Sequence, residues 1–139
     1  MKITLLAAAA FLVLTPAAFA ASETFTAALK PSNEVPATDS KGSGTLTATY
    51  DTATKKLTYT ATYKDLSGPA VAAHFHGPAD SKTNAPVVVP VKEMTPGTLK
   101  GEATLTDAQA ADLEAGKWYF NIHTAANKGG EIRGQVTKK

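Results

Sequence analysis

Three histidines are the residues of this sequence whose types and spacing best fit a metal site. One residue separates His74 from His76, and His123 lies in the segment 119–124. Residues two apart on a β-strand project from the same face, so a strand through this pair presents both imidazoles together. Neutral imidazole binds copper and zinc, and two strands can hold three ring nitrogens around one ion. We therefore expect His74, His76 and His123 to be metal ligands.

A metal-free arrangement is the competing interpretation, because many strand histidines only form hydrogen bonds in a protein core. A His-x-His pair also occurs by chance. The patterns of the two segments favour the metal interpretation, since they place all three histidines on polar faces, opposite apolar residues such as Phe75 and Phe120.

The residues after His123 predict a hairpin that adds polar groups to the histidines. Gly129–Gly130 permits a tight reversal of the chain. A register that pairs His123 with Glu131 places Asn121 opposite Arg133. We therefore expect the side chains of Asn121, Glu131 and Arg133 to surround the metal ligands.

Two carboxylates and one guanidinium have expected supporting roles. Glu131 is expected to orient a ligating imidazole through a hydrogen bond. Arg133, the only arginine of the sequence, suits two roles: holding Glu131 or backbone carbonyls in place, which we favour, or attracting a small anion to the metal. Glu34, in the loop 33–36, can approach the site or only stabilise a turn.

The composition excludes several kinds of chemistry. With no cysteine, disulfides, thiolate metal sites, Fe–S clusters and a cysteine nucleophile are excluded. Fourteen Lys and Arg against 12 Asp and Glu give a net charge of +2, which argues against nucleic acid as a partner. No fingerprint of a serine hydrolase, phosphate-binding loop or dinucleotide site is present.

The first twenty residues have the features of a secretory signal peptide. Lys2 precedes the apolar run Ile3–Leu14, and Ala18-Phe19-Ala20 has the small-x-small pattern of a cleavage site. The run is shorter than the roughly 20 residues of a membrane-spanning helix. We expect cleavage near Ala20, a single domain over residues 21–139, and a periplasmic or secreted product with no membrane span.

Period-two alternation predicts an all-β domain. Thr45–Tyr50 and Leu57–Tyr63 alternate over a polar turn and predict a hairpin. The other predicted strands are Phe25–Leu29, Ala70–His76, Val87–Val91, Thr98–Leu105, Lys117–Thr124 and Glu131–Thr137. This number of short strands favours an antiparallel sandwich or flattened barrel.

One short helix is predicted over residues 107–115. Thr106 is placed to cap it, Gln109 completes a capping box, and Gly116 follows its end. Its apolar residues are mostly alanine, so we expect it to cover a sheet edge or one end of a barrel.

Three of these segments resemble the CHRD (chordin-type) domain family. The resemblance spans roughly Glu23 to Val136 and is carried by Asn33-Glu34-Val35-Pro36, by Ala73-His74-Phe75-His76-Gly77-Pro78-Ala79, and by 119–124 with 129–135. Such domains occur as repeats in chordin and as single exported bacterial proteins. The resemblance implies a Greek-key β-sandwich of immunoglobulin-like or superoxide-dismutase-like form.

Copper–zinc superoxide dismutases offer a more distant analogy, since they also place a His-x-His pair on a sandwich strand. This chain differs from them in having no disulfide, no histidine for a zinc site and one copper-binding histidine fewer. We therefore expect a domain that binds copper, with zinc as the alternative metal, in copper binding or handling. A superoxide-dismutase-like redox enzyme and a metal-free interaction or structural module stay open as alternatives.

Overall fold

The computed structural model describes residues 20–139, so the predicted signal peptide lies outside the described residues except for Ala20. Eight β-strands and one α-helix form this part of the chain. They are β1 (Ser22–Leu29), β2 (Ser43–Asp51), β3 (Lys56–Lys64), β4 (Ala70–His76), β5 (Val87–Pro90), β6 (Thr98–Thr104), α1 (Asp107–Glu114), β7 (Trp118–Thr124) and β8 (Ile132–Lys138). The expected all-β class with one short helix is confirmed.

The strands form one antiparallel, nearly closed sheet in the order β5-β4-β7-β8-β1-β2-β3-β6. Its two halves are joined where β1 pairs with β8, with Phe25 opposite Lys138 and Thr26 opposite Thr137. An isolated bridge between Lys30 and Arg133 extends this junction. The two histidine-bearing strands, β4 and β7, are neighbours in one half of the sheet.

The predicted β2–β3 hairpin is present and supplies much of the core. Every second residue of these strands is buried: Leu46, Ala48, Tyr50, Leu57, Tyr59 and Ala61. The threonines between them face outward, as expected of half-buried strands. Across the core, the ring of Tyr59 meets that of Phe75 at a centroid distance of 5.0 Å, so the two halves of the sheet face each other.

Phe75 connects this core to the histidines. It is fully buried, and its ring packs edge-on against Phe120 at 4.8 Å. Because neighbouring residues of a strand point to opposite faces, burying Phe75 turns His74 and His76 to the other side of the sheet. That side is covered as well: every residue of β7 is buried.

The helix begins as its sequence predicts and ends one residue earlier. Thr106 and Gln109 form the reciprocal capping box. At the other end Ala115, the last residue of the predicted helix, is the C-cap, and Gly116 follows it with a φ of 70°. Ala110 and Leu113 are its buried residues. None of the helices in residues 20–139 is long and apolar enough to cross a membrane.

A buried carboxylate ties three connecting segments to the start of β8. Glu131 accepts hydrogen bonds from Ser40 in the β1–β2 connection and from the backbone and hydroxyl of Ser67 before β4. Thr124, the last residue of β7, and Asn127 in the β7–β8 connection also donate to it. Burial raises the pKa of Glu131, but these hydrogen bonds outweigh it and lower the pKa to about 2.

We predict that Glu131→Gln lowers the free energy of unfolding at pH 7 by about 2–4 kcal/mol, because about 1.4 kcal/mol corresponds to each unit of pKa difference. The folded pKa lies below the ordinary value of 4.5, so this stability is present above pH 4.5 and is lost as the pH falls toward 2. Urea unfolding between pH 7 and pH 2.5 therefore gives curves for the two proteins that converge in acid. Glu102→Gln, at an exposed surface carboxylate, is the matched control. Parallel pH profiles for wild type and Glu131→Gln would contradict this role.

Candidate metal centre

The pairing of β4 with β7 brings the three histidines together. In this antiparallel register His74 lies opposite Asn121, and Ala72 lies opposite His123. One ring nitrogen from each of His74, His76 and His123 lies within 4.8 Å of the others. This arrangement is the cluster that the sequence predicts, and its geometry is compatible with holding one metal ion.

Backbone carbonyls determine which ring nitrogens carry protons. Nδ1 of His76 lies 2.8 Å from the carbonyl oxygen of Ala85, and Nδ1 of His123 lies 2.8 Å from that of Lys128. A carbonyl oxygen only accepts hydrogen bonds, so both Nδ1 atoms are the donors. In the neutral rings each Nε2 then has a free lone pair, which is the form that binds a metal.

Both of these Nε2 atoms lie beside the side-chain oxygen of Asn121. Its Oδ1 lies 3.0 Å from Nε2 of His76 and 2.9 Å from Nε2 of His123. Nδ1 of His74 lies 3.0 Å from the same Nε2 of His123. Since Nε2 of His123 carries no proton, the Nδ1–H of His74 is the donor in this hydrogen bond, and a bound metal would take the place of that proton. These four atoms, from four side chains, lie next to one another at the centre of the cluster.

The surroundings favour neutral imidazoles. Burial, followed by the nearby rings of His123 and His76, lowers the pKa of His74 to about 4. Burial also lowers the pKa of His76, against the opposing effect of its hydrogen bonds to Ala85 and Asn121. His76 and His123 are 8% and 9% exposed, while His74 is half-buried and forms the side of the cluster nearest to solvent.

Tyr119 supports the cluster from the neighbouring register position. Its ring stacks on that of His76, with centroids 4.7 Å apart and an angle of 4° between the planes. The guanidinium carbon of Arg133 lies 3.4 Å from the centroid of the same tyrosine ring. Tyr119 thus fixes the plane of the His76 imidazole and links it to the buried guanidinium of Arg133.

Arg133 holds the connection between β4 and β5 over the site. It is 1% exposed, and its guanidinium donates to Asn84 Oδ1 at 2.9 Å and to the carbonyl oxygens of Thr83 at 2.7 Å and Asp80 at 3.2 Å. This geometry matches one of the two expected roles, in which Arg133 holds backbone carbonyls in place. Among the described residues, Glu131 is not one of the hydrogen-bond partners of Arg133.

Glu131 forms no hydrogen bond with an imidazole in the described part of the chain, which differs from the expected orienting role. The strand β8 begins only at Ile132, so the alternation that would place Glu131 beside Arg133 does not reach it. Its carboxylate is instead directed to Ser40, Ser67, Thr124 and Asn127. The predicted pairing of Asn121 with Arg133 is present.

Glu34 approaches the centre from behind Asn121. Burial raises the pKa of its carboxyl to about 7, although Arg133, the Asn121 amide and the backbone of Val35 each favour the charged form. A Cβ on Gly130 would collide with both Glu34 Oε1 and Asn121 Nδ2, so these two atoms share the space beside the glycine. Glu34 is thus next to the amide that contacts two histidines.

Residues 25–136 match the family model described as the CHRD domain. The chain belongs to the CHRD domain family. This match agrees with the resemblance seen in the sequence, and each of the three segments that carried it contributes a residue to the histidine cluster of this CHRD domain or to its surroundings. No curated protein and no solved structure matches the chain.

The sequence indicated the histidines of the CHRD domain and the polar face of β7, but not the carbonyl groups that orient two of the imidazoles. Tyr119 follows from the alternation that gave Asn121 and His123, since all three lie on one face of β7. The carbonyl groups of Ala85 and Lys128 leave no such pattern, because any residue type supplies a carbonyl. Their positions depend on the paths of two connections that only the folded chain defines.

Proposed function

We propose that this CHRD domain binds one copper ion through His74, His76 and His123, and acts in copper binding or handling outside the cytoplasm. The observation that carries the proposal is the pair of Nε2 lone pairs that backbone carbonyls direct to one point, beside a third imidazole. A carbonyl or carboxylate on the second ring nitrogen is the usual companion of a metal-binding histidine.

The donor atoms favour copper over zinc as the proposed metal. The sequence contains no cysteine and so offers no thiolate. Nitrogen and oxygen donors suit Cu(II), and a site with such donors binds Cu(II) more tightly than Zn(II). Zinc stays the alternative, because three imidazoles also form a common zinc site.

Export is the second component of the proposal and is supported by the pattern of residues 1–20. Export would place the domain in a compartment that permits disulfides, although the sequence contains no cysteine to form one. Protein recovered from the periplasmic or secreted fraction should begin at Ala21, which N-terminal sequencing detects. Recovery of the full 139-residue chain from the cytoplasm alone would contradict export.

The test of metal binding is titration of the purified, untagged protein with Cu(II), followed by calorimetry and electron paramagnetic resonance. We expect one equivalent to bind, with hyperfine coupling from imidazole nitrogens. His76→Ala and His123→Ala each remove a ligand, so each should weaken binding by more than about 100-fold, beyond the effect of losing a supporting group.

Val71→Ala is the matched control, since Val71 is an exposed residue of the same strand, β4, and leaves every histidine in place. Circular dichroism verifies that all variants are folded. Absence of stoichiometric binding by the wild type, or unchanged binding by both histidine variants, would overturn the proposal and favour the metal-free module. A parallel titration with Zn(II) decides between the two metals.

A further inference from the structure

The orientation of the Asn121 amide needs an explanation. With both Nδ1 protons donated to carbonyls, the Nε2 atoms of His76 and His123 are acceptors, and Asn121 Oδ1 beside them is an acceptor too. A carboxamide turned by 180° would donate an N–H to these lone pairs instead. Since an acceptor facing two acceptors is unfavourable, groups on the other side of the amide must hold it in place.

Two acceptors occupy that other side. The carbonyl oxygen of Gly129 accepts from Asn121 Nδ2 over a long distance of 3.5 Å. The carboxylate of Glu34 shares the space beside Gly130 with the same Nδ2. A turned amide would bring its oxygen against both, so Gly129 and Glu34 together favour the observed orientation.

The loop that carries Glu34 is itself fixed. Asn33 Nδ2 donates to the carbonyl oxygen of Arg133 at 3.0 Å, and Asn84 Nδ2 donates to that of Val35 at 2.8 Å. These bonds hold the residues on both sides of Glu34. The carboxylate is 6% exposed, so it cannot turn to solvent without moving the loop.

The separations of the acceptor atoms match those of neighbouring metal ligands. Two donors at about 2.0–2.1 Å from one ion and at right angles to each other are about 2.9 Å apart. Oδ1 of Asn121 lies 2.9 Å and 3.0 Å from the two Nε2 atoms. Right-angled nitrogen and oxygen donors are the arrangement that Cu(II) prefers.

We propose that Asn121 Oδ1 is the fourth ligand of the metal and that Glu34 is the positioning residue that keeps this oxygen directed to the imidazoles. This inference rests on the proposed function, because it extends the three-histidine site. It assigns a coordinating role to an asparagine and a supporting role to a carboxylate that does not touch the metal.

The coordination is tested on the wild-type protein, so the result does not depend on a variant that folds. Protein labelled with ¹³C at the side-chain carbonyl of asparagine is loaded with one equivalent of Cu(II) and examined by pulsed electron–nuclear double resonance. The chain has four asparagines, Asn33, Asn84, Asn121 and Asn127, and only Asn121 has its amide oxygen beside an imidazole among the described residues. We expect one strong ¹³C coupling, and its loss in Asn121→Ala together with about 10–100-fold weaker Cu(II) binding.

Glu34 is tested by a pair of substitutions of similar size. Glu34→Leu removes both acceptor oxygens, so the amide is free to turn and we expect about tenfold weaker Cu(II) binding and loss of the ¹³C coupling. Glu34→Gln keeps one acceptor oxygen and should restore the coupling and most of the affinity. A purely structural role for Glu34 would lower the thermal stability of both variants while leaving the coupling intact.

The outcomes separate this inference from the proposed function. Cu(II) binding that depends on the histidines but shows no asparagine coupling, with unchanged affinity in Asn121→Ala, would overturn the inference and leave the function standing. Absence of Cu(II) binding by the wild type would overturn the function itself. Glu102→Gln, at a distant exposed carboxylate, controls for the loss of negative charge.

Discussion

The site depends first on the antiparallel pairing of β4 with β7. This register puts His74 opposite Asn121 and His76 opposite Tyr119, and a slip by one residue would turn each of these side chains to the other face of the sheet. Packing prevents the slip, because Phe75 and its register partner Phe120 are both fully buried on the core side. The hydrophobic core and the candidate metal centre are thus two faces of the same pair of strands.

Two backbone carbonyls then fix the proton positions of two of the clustered histidines. The carbonyl of Ala85 belongs to the connection that Arg133 anchors through Thr83 and Asp80. The carbonyl of Lys128 belongs to the β7–β8 connection that Glu131 holds through Asn127. Each buried charged residue therefore stabilises the connection that sets the proton position of one imidazole, without a hydrogen bond to that imidazole.

The sequence predicted the strands and the faces on which the histidines lie well, because both depend on local alternation. All eight strands are present; β4 has the predicted bounds, and β1 begins three residues earlier than predicted. The helix was also predictable, since Thr106, Gln109 and Gly116 act on their immediate neighbours. Alternation on β7 likewise identified the face with His123, and the hairpin register opposite Arg133 followed from it.

Contacts between segments distant in sequence were not predictable in the same way. The role expected of Glu131 failed because the residue lies before β8, where period-two alternation does not apply. Glu34 lies on a loop about 90 residues before Asn121 in the sequence. Its approach to Asn121 depends on the path of that loop and on Gly130, which has no side chain to occupy the space between them. Such contacts arise from the paths of connections, which a single sequence does not encode in any short pattern.

The proposed site requires that His76 and His123 are held with the proton on Nδ1 and the lone pair of Nε2 directed into the cluster. Long-range ¹H–¹⁵N correlation spectra of the ¹⁵N-labelled, metal-free protein at pH 7.5 measure this directly, because protonated and unprotonated ring nitrogens differ strongly in chemical shift. We expect Nδ1–H for both rings, and a change that is largest at their Nε2 signals when one equivalent of Zn(II) is added as a diamagnetic probe. Protons on Nε2 of both rings, or Nε2 signals that Zn(II) leaves unchanged, would contradict the proposed site.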